Sequence, residues 1–139
     1  MFKRLLIVLL AVLPLVSCSV KQNTIQKEKK LQTDKDGYVE FYEAIKSNHF
    51  VIAKFGLDIC VGCIEANNIL KSLMPEYGEK IYFSKVDLLA DREAEKKYNI
   101  KMMPTIIFFD KKGKEFYRIE GTVTKKAIKD KIDSICLDY

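Results

Sequence analysis

Cys60-Val61-Gly62-Cys63 places two thiols one helical turn apart, close enough to close and reopen a disulfide. The apolar run Phe50-Val51-Ile52-Ala53-Lys54-Phe55 precedes the pair, and a helical pattern, Ile64 to Leu73, follows it. A buried strand before the motif would fix it in space. A helix starting at the motif would offer partial positive charge and free N–H groups to the first sulfur. Cys60 could then be a thiolate near neutral pH. A second signal, Met103-Pro104-Thr105, opens another apolar run, Ile106-Ile107-Phe108-Phe109. Proline is admitted at the first residue of a strand, and a cis X–Pro bond there would be a deliberate feature.

The elements that must hold these residues follow from periodicity. Tyr38, Phe41, Tyr42 and Ile45 recur at helical spacing, which predicts a first helix over Gly37 to Ser47. Phe50 to Phe55 reads as a buried strand. Cys60 to about Met74 reads as a helix ended by Pro75 and Gly78. Ile81 to Asp87 alternates as a strand, and Asp91 to Tyr98 is a short polar helix with Asp91 as its N-cap. Thr105 to Phe109 and Glu115 to Ile119 flank the hairpin turn Asp110-Lys111-Lys112-Gly113. Thr124 to Cys136 closes the chain as a helix with Ala127, Ile128, Ile132 and Ile135 on its apolar face. A right-handed crossover makes the Phe50 and Ile81 strands parallel, and the last hairpin is antiparallel. The expected fold is α/β, a mixed sheet of about four strands with helices on both faces.

Strand, CxxC, helix, strand, helix, Met-Pro-Thr, hairpin, helix is the order of the thioredoxin family, which the chain resembles from about Asp36 to Tyr139. The resemblance extends to Lys85-Val86-Asp87 at a strand end and to Glu120-Gly121 before the last helix. It implies a thioredoxin-like fold and a thiol–disulfide oxidoreductase. Cys60 would attack a partner's disulfide and Cys63 would resolve the mixed disulfide. Pro104 would be a cis-proline facing the CxxC, with the Met103 backbone open to an extended substrate segment. The partners implied are protein disulfides or thiols. No prosthetic group is called for, since the dithiol carries two electrons, and the domain would be a monomer.

Three features depart from the family pattern. Ile59 stands where a Trp precedes the first Cys, and the chain has no Trp at all. Val61-Gly62 replaces Gly-Pro and is nearer the Cys-Val-x-Cys of the thioredoxin-like domain in the bacterial transmembrane disulfide reductase, which leans toward reducing work. Lys54 falls where thioredoxins keep a buried Asp, and Lys85 matches the lysine that normally pairs with it. A cation at Lys54 would favour thiolate and a more oxidising couple, unless the side chain reaches out to solvent. Burial of both lysines without a carboxylate would be costly, so one of them is expected to face solvent.

Composition bounds the rest. The chain has 139 residues, and 48% are hydrophobic, enough for one small domain with extensions. The first 30 residues hold six Lys or Arg against one Glu, which accounts for the net charge of +5. The remaining 18 basic and 18 acidic residues balance, so nothing supports a nucleic-acid role. Residues 1–17 read as an export signal: Lys3-Arg4, then the apolar run Leu5 to Val16, short for a spanning helix. Leu15-Val16-Ser17-Cys18 resembles a bacterial lipobox, which implies cleavage before Cys18 and a lipid anchor on it. Residues 18–35 then form the lipidated Cys and a polar tether, and residues 36–139 the domain. The expected location is the bacterial cell envelope, facing the periplasm or extracytoplasmic space. A reducing role there requires a membrane electron donor.

Other readings of the cysteines remain. A disulfide spanning two residues restrains the unfolded chain little, so a purely structural bridge is a weak alternative. Cys136 and His49 could complete a Cys3His metal set with the CxxC, although no second CxxC or close His pair exists. Net disulfide formation, favoured by Lys54, is the rival direction. A binding module on the same scaffold, holding a metal or partner without turnover, is the rival class. Asp58 would oppose the Cys60 thiolate weakly from an exposed loop. His49 reads as a surface residue, and Cys136 as a small core residue or an unpaired thiol.

Overall fold

Strand β1, Phe50–Gly56, is buried along its whole length, because it is central in the sheet and helices cover both of its faces. In the computed structural model, which describes residues 30–137, the order of elements is α1 (Phe41–Ala44), β1, α2 (Val61–Tyr77), β2 (Ile81–Asp87), α3 (Arg92–Lys97), β3 (Thr105–Phe109), β4 (Glu115–Glu120) and α4 (Lys125–Leu137). The four strands run in the order β2-β1-β3-β4. β1 pairs parallel with β2, from Phe50↔Ile81 to Gly56↔Asp87, and antiparallel with β3. β3 and β4 form the expected hairpin. The mixed four-stranded sheet is the expected one.

Alternation divides the core into two layers. Phe50, Ile52, Ile81, Phe83, Ile106 and Phe108 face one side and pack with Leu70 and Leu73 of α2 and with Ile128 and Ile132 of α4. Val51, Ala53, Phe55, Ile107 and Phe109 face the other side, where Phe41 and Ala44 of α1 and Ala94 of α3 cover them. Tyr98 and Phe41 join Phe55 and Phe109 there in tilted and edge-on ring contacts, the geometry ring quadrupoles favour.

The helices differ from the sequence reading at their ends. The first is only Phe41–Ala44, not Gly37 to Ser47. Val39 donates its N–H to the Phe83 carbonyl at 2.8 Å and accepts from the Ser84 hydroxyl at 2.9 Å, so its backbone serves the edge of β2 instead of a helix. Glu40 then caps α1 through the Glu43 N–H at 2.8 Å. Helix α2 continues through Pro75 to Tyr77, since a proline near the end removes one late hydrogen bond and Tyr77 still packs into the core. Asp91 caps α3 as expected, accepting from the Ala94 N–H at 3.1 Å. Ala127 is exposed on α4, while Ile128, Ile132 and Ile135 face the core.

Part of the assigned tether belongs to the domain. Leu31 packs on the second layer, and Thr33 bridges Val39. The Asp34 carboxylate accepts from the Tyr38 N–H at 2.9 Å and lies 3.7 Å from Lys85 Nζ. Residues 1–29, with Cys18 and the proposed signal, lie outside the described residues. Among the described residues no helix is long and apolar enough to cross a membrane.

The fully buried Leu70 clamps α2, and with it the CxxC, onto the sheet. Leu70→Ala is expected to cost about 2–5 kcal/mol. In urea this reads as a lower midpoint with an unchanged m-value.

Candidate active site

The two cysteines stand where β1 hands over to α2. Cys60 is the N-cap of the helix in extended conformation, and its carbonyl accepts from the Ile64 N–H at 2.9 Å. The turn before it is closed by the Cys60 N–H donating to the Leu57 carbonyl at 3.3 Å. Cys63 lies in the first turn, fully buried, while Cys60 is half-exposed. Both are thiols.

This difference in depth separates their acidities. The Cys60 thiol is held below the usual cysteine value, first by the hydrogen bond from the Cys63 thiol. The N–H groups of Cys63 and Gly62 and the charge of Lys54 act in the same direction. The Cys63 thiol is pushed up, first by burial and then by its hydrogen bond to Cys60. One sulfur is therefore prepared to be an exposed thiolate, and the other keeps its proton beneath it.

Two glycines make the pocket that holds the inner sulfur. A Cβ on Gly56, the last residue of β1, would stand 2.5 Å from Cys63 Sγ, so no other residue fits there with the sulfur in place. A Cβ on Gly62 would stand 3.3 Å from Pro104 Cδ, which puts the proline against the CxxC as expected. The Met103–Pro104 bond is cis. The loop is tied by the Thr105 hydroxyl donating to the Met102 carbonyl at 2.7 Å and by the Gly121 N–H donating to the Pro104 carbonyl at 2.8 Å. Gly121 has φ +79, and a side chain there would also collide with Met102 Sδ. Cys60, Gly62, Met103, Pro104 and Thr122 line one groove. Around it Ile59 and Val61 are 79% and 81% exposed, and Met102 and Met103 are also open to solvent.

Lys54 does not reach solvent. It is 0% exposed, and its ammonium lies 3.5 Å from Asp58 Oδ1 without a hydrogen bond. Lys85, its register partner on β2, is the lysine at the surface, beside Asp34 and Asp36 and over the Tyr38 ring. His49 and Cys136 border a hollow at the opposite end of β1, so neither can join the CxxC in a metal set. His49 stacks on Tyr82, and its Nδ1 is 2.9 Å from the Ser47 carbonyl. Sequence reasoning missed Gly56 and the Lys54–Asp58 pair. A glycine ending an apolar strand just before the CxxC was the available signal for the first. The i,i+4 spacing was a signal for the second only if both side chains turn to one side of the β1–α2 junction.

Iodoacetamide labelling across a pH series should show the two acidities. A lowered Cys60 means its thiolate persists to lower pH, so Cys60 is expected to react with a midpoint below an ordinary thiol's. The Cys63 midpoint is expected above it, leaving a pH window in which only Cys60 is labelled. Peptide mass analysis separates the two sites.

The thioredoxin family model matches residues 29–134, more than half of the chain. Protein disulfide-isomerase 1 of Caenorhabditis elegans is 32% identical over 98 residues, 63% of this chain and 19% of that protein. The chloroplastic thioredoxin Y of Oryza sativa subsp. japonica is 29% identical over 106 residues, 76% of this chain and 62% of that one. The match thus spans less than two thirds of the length of these curated relatives. Among solved structures, a thioredoxin of Fasciola hepatica aligns with a TM-score of 0.60 and 26% identity, covering 67% of this chain and 88% of its own. With the dithiol at the helix N-terminus and the cis-proline against it, the chain belongs to the thioredoxin family.

Proposed function

We propose that the protein is a thiol–disulfide oxidoreductase of the cell envelope, anchored by a lipid on Cys18 and reducing disulfides in other proteins. The observation that carries the redox reading is the asymmetry of the pair: a half-exposed Cys60 whose pKa is held below the usual cysteine value, beside a buried Cys63 whose pKa is pushed up. The Cys60 thiolate attacks one sulfur of the partner's disulfide. The partner's S–S bond breaks, one of its sulfurs leaves as a thiolate that takes a proton from solvent, and a mixed disulfide joins the other to Cys60. Cys63 then gives up its proton and attacks Cys60 Sγ. The second partner sulfur leaves with the electron pair and that proton. The partner ends with two thiols and the protein with a Cys60–Cys63 disulfide. Met103 and Pro104 receive the partner's chain beside the reacting sulfur, with Met103 offering its backbone to an extended segment. Thiols spent in this way must be restored by a membrane electron donor in an oxidising compartment.

Direction is the open competition, and a specific residue favours the rival. The buried charge of Lys54 stabilises thiolate and raises the potential, as disulfide formation would require. Equilibration of the full chain in thiol buffers of known potential decides. A value near about −270 mV supports reduction, and one toward about −120 mV supports oxidation. Absence of a reversible two-electron couple would leave a binding module on the same scaffold.

Two further outcomes are expected. Cys60→Ser should abolish reduction of insulin disulfides, whereas Cys63→Ser should accumulate a mixed disulfide stable on a non-reducing gel. For the anchor, expressed full-length protein should partition into detergent on Triton X-114 phase separation, and Cys18→Ala should move it to the aqueous phase.

A further inference from the structure

Lys54 is a lysine with no exposed surface and no hydrogen bond on its ammonium. Alternation along β1 puts it on the face of Phe50 and Ile52, the face that α2 covers, one step nearer the strand end that meets the cysteines. In register it lies between Lys85 on β2 and Ile106 on β3, a second cation and a hydrocarbon. Lys85 is already beside two carboxylates, at 3.7 Å from Asp34 and 3.6 Å from Asp36. The carboxylate within ion-pair reach of Lys54 is Asp58, 3.5 Å away, 55% exposed and two residues before Cys60. Nearby, the Tyr38 hydroxyl donates to the Asn67 carbonyl, and Asp87 accepts from the Leu89 N–H.

Removing an ammonium from water is costly, and a half-exposed carboxylate without a hydrogen bond offsets only part of that cost. The charge is retained at a place where the reaction makes anions. That charge acts to lower the pKa of both Cys60 and Cys63.

We infer that Lys54 is a positioning residue, the buried counter-cation of the dithiol's thiolate forms, and that Asp58 weakens it from the solvent side. This assignment rests on the redox reading above and adds what sets the couple's poise. In the resolving step Cys63 must become a thiolate before it attacks Cys60 Sγ. The Lys54 charge offsets that of the thiolate, and the Cys63 proton leaves with the partner's sulfur. The reduced pair carries a thiolate and the disulfide carries none, so a nearby cation favours the reduced form and raises the potential. A carboxylate that draws the cation outward does the opposite.

Opposite signs make the test. In the full chain, Lys54→Met removes the charge at nearly constant length. It is expected to raise the Cys60 labelling midpoint by about one pH unit, a tenfold loss of thiolate. The couple should shift tenfold toward disulfide, about 30 mV more negative. Asp58→Asn is expected to move both readouts the other way by about threefold, as befits a screened group. In the double variant the Asp58 effect should vanish if it acts through Lys54. A structural Lys54 would alter the urea midpoint and leave labelling and potential in place, and that result overturns the inference. So does a shift of Asp58→Asn toward higher midpoint and lower potential, a readout that stands even if Lys54→Met fails to fold. A parent protein without a reversible couple would defeat the redox reading, while the labelling midpoints would still decide the role of Lys54.

Discussion

The structure depends on how β1 ends. Seven residues of this strand are buried, Val51 to Phe55 pair with a strand on each side, and its last residue, Gly56, pairs with Asp87 and accepts from the Leu88 N–H at 3.1 Å. Five residues later the chain must start α2, whose apolar stripe has to settle on the same sheet. The junction between a rigid strand and a rigid helix leaves Cys60 at the rim and turns Cys63 inward against Gly56. The chemical difference between two identical side chains is a consequence of that turn. Exposure and N–H groups stabilise the charge on one sulfur, and desolvation withholds it from the other.

The other side of the site is built from the far end of the sequence and locked by backbone bonds. Phe55 pairs with Thr105, which sets Pro104 beside the end of β1. Gly121 in turn binds the Pro104 carbonyl. β4 is itself tied down by Arg118, whose guanidinium donates to Glu115 at 2.6 Å and to the Tyr98 carbonyl at 3.0 Å beyond α3. Distortion of any of these would move the groove relative to Cys60, so the sheet, the hairpin and the short α3 all serve one alignment.

Charge is distributed unequally around the two strand lysines. At the surface Lys85 and Lys71 share Asp34 and Asp36, in ion pairs of 2.9 to 3.7 Å that solvent screens. Such pairs contribute little energy, yet they close the segment 33–39 over the edge of β2. Inside, Lys54 has no equivalent company. A domain that places carboxylates around the exposed cation and leaves the buried one nearly alone retains an unfavourable charge beside its reactive thiols, as functional sites often do.

Much of this was legible in order along the chain. Ile81–Asp87 and Thr105–Phe109 fall at the bounds their residues predict, the first from near-alternation and the second, buried throughout, from a continuous apolar run. The CxxC at a helix start named the reactive pair from spacing, and the resemblance to thioredoxins named the proline at a strand start as its opposite wall. The first helix was overdrawn because Tyr38 and Phe41 share a helical interval, while the backbone between them serves β2, a strand more than 40 residues away. The same limit applies to Lys54. Its position on a face follows from alternation, but depth does not, since a lysine can reach solvent from many strand positions. Only the packing of α2 over that face, and the pairing that leaves Lys85 outside, decided which cation is buried. Local periodicity specifies elements and faces, whereas burial of a charge and the fit of a sulfur against a glycine are set by contacts between segments distant in sequence.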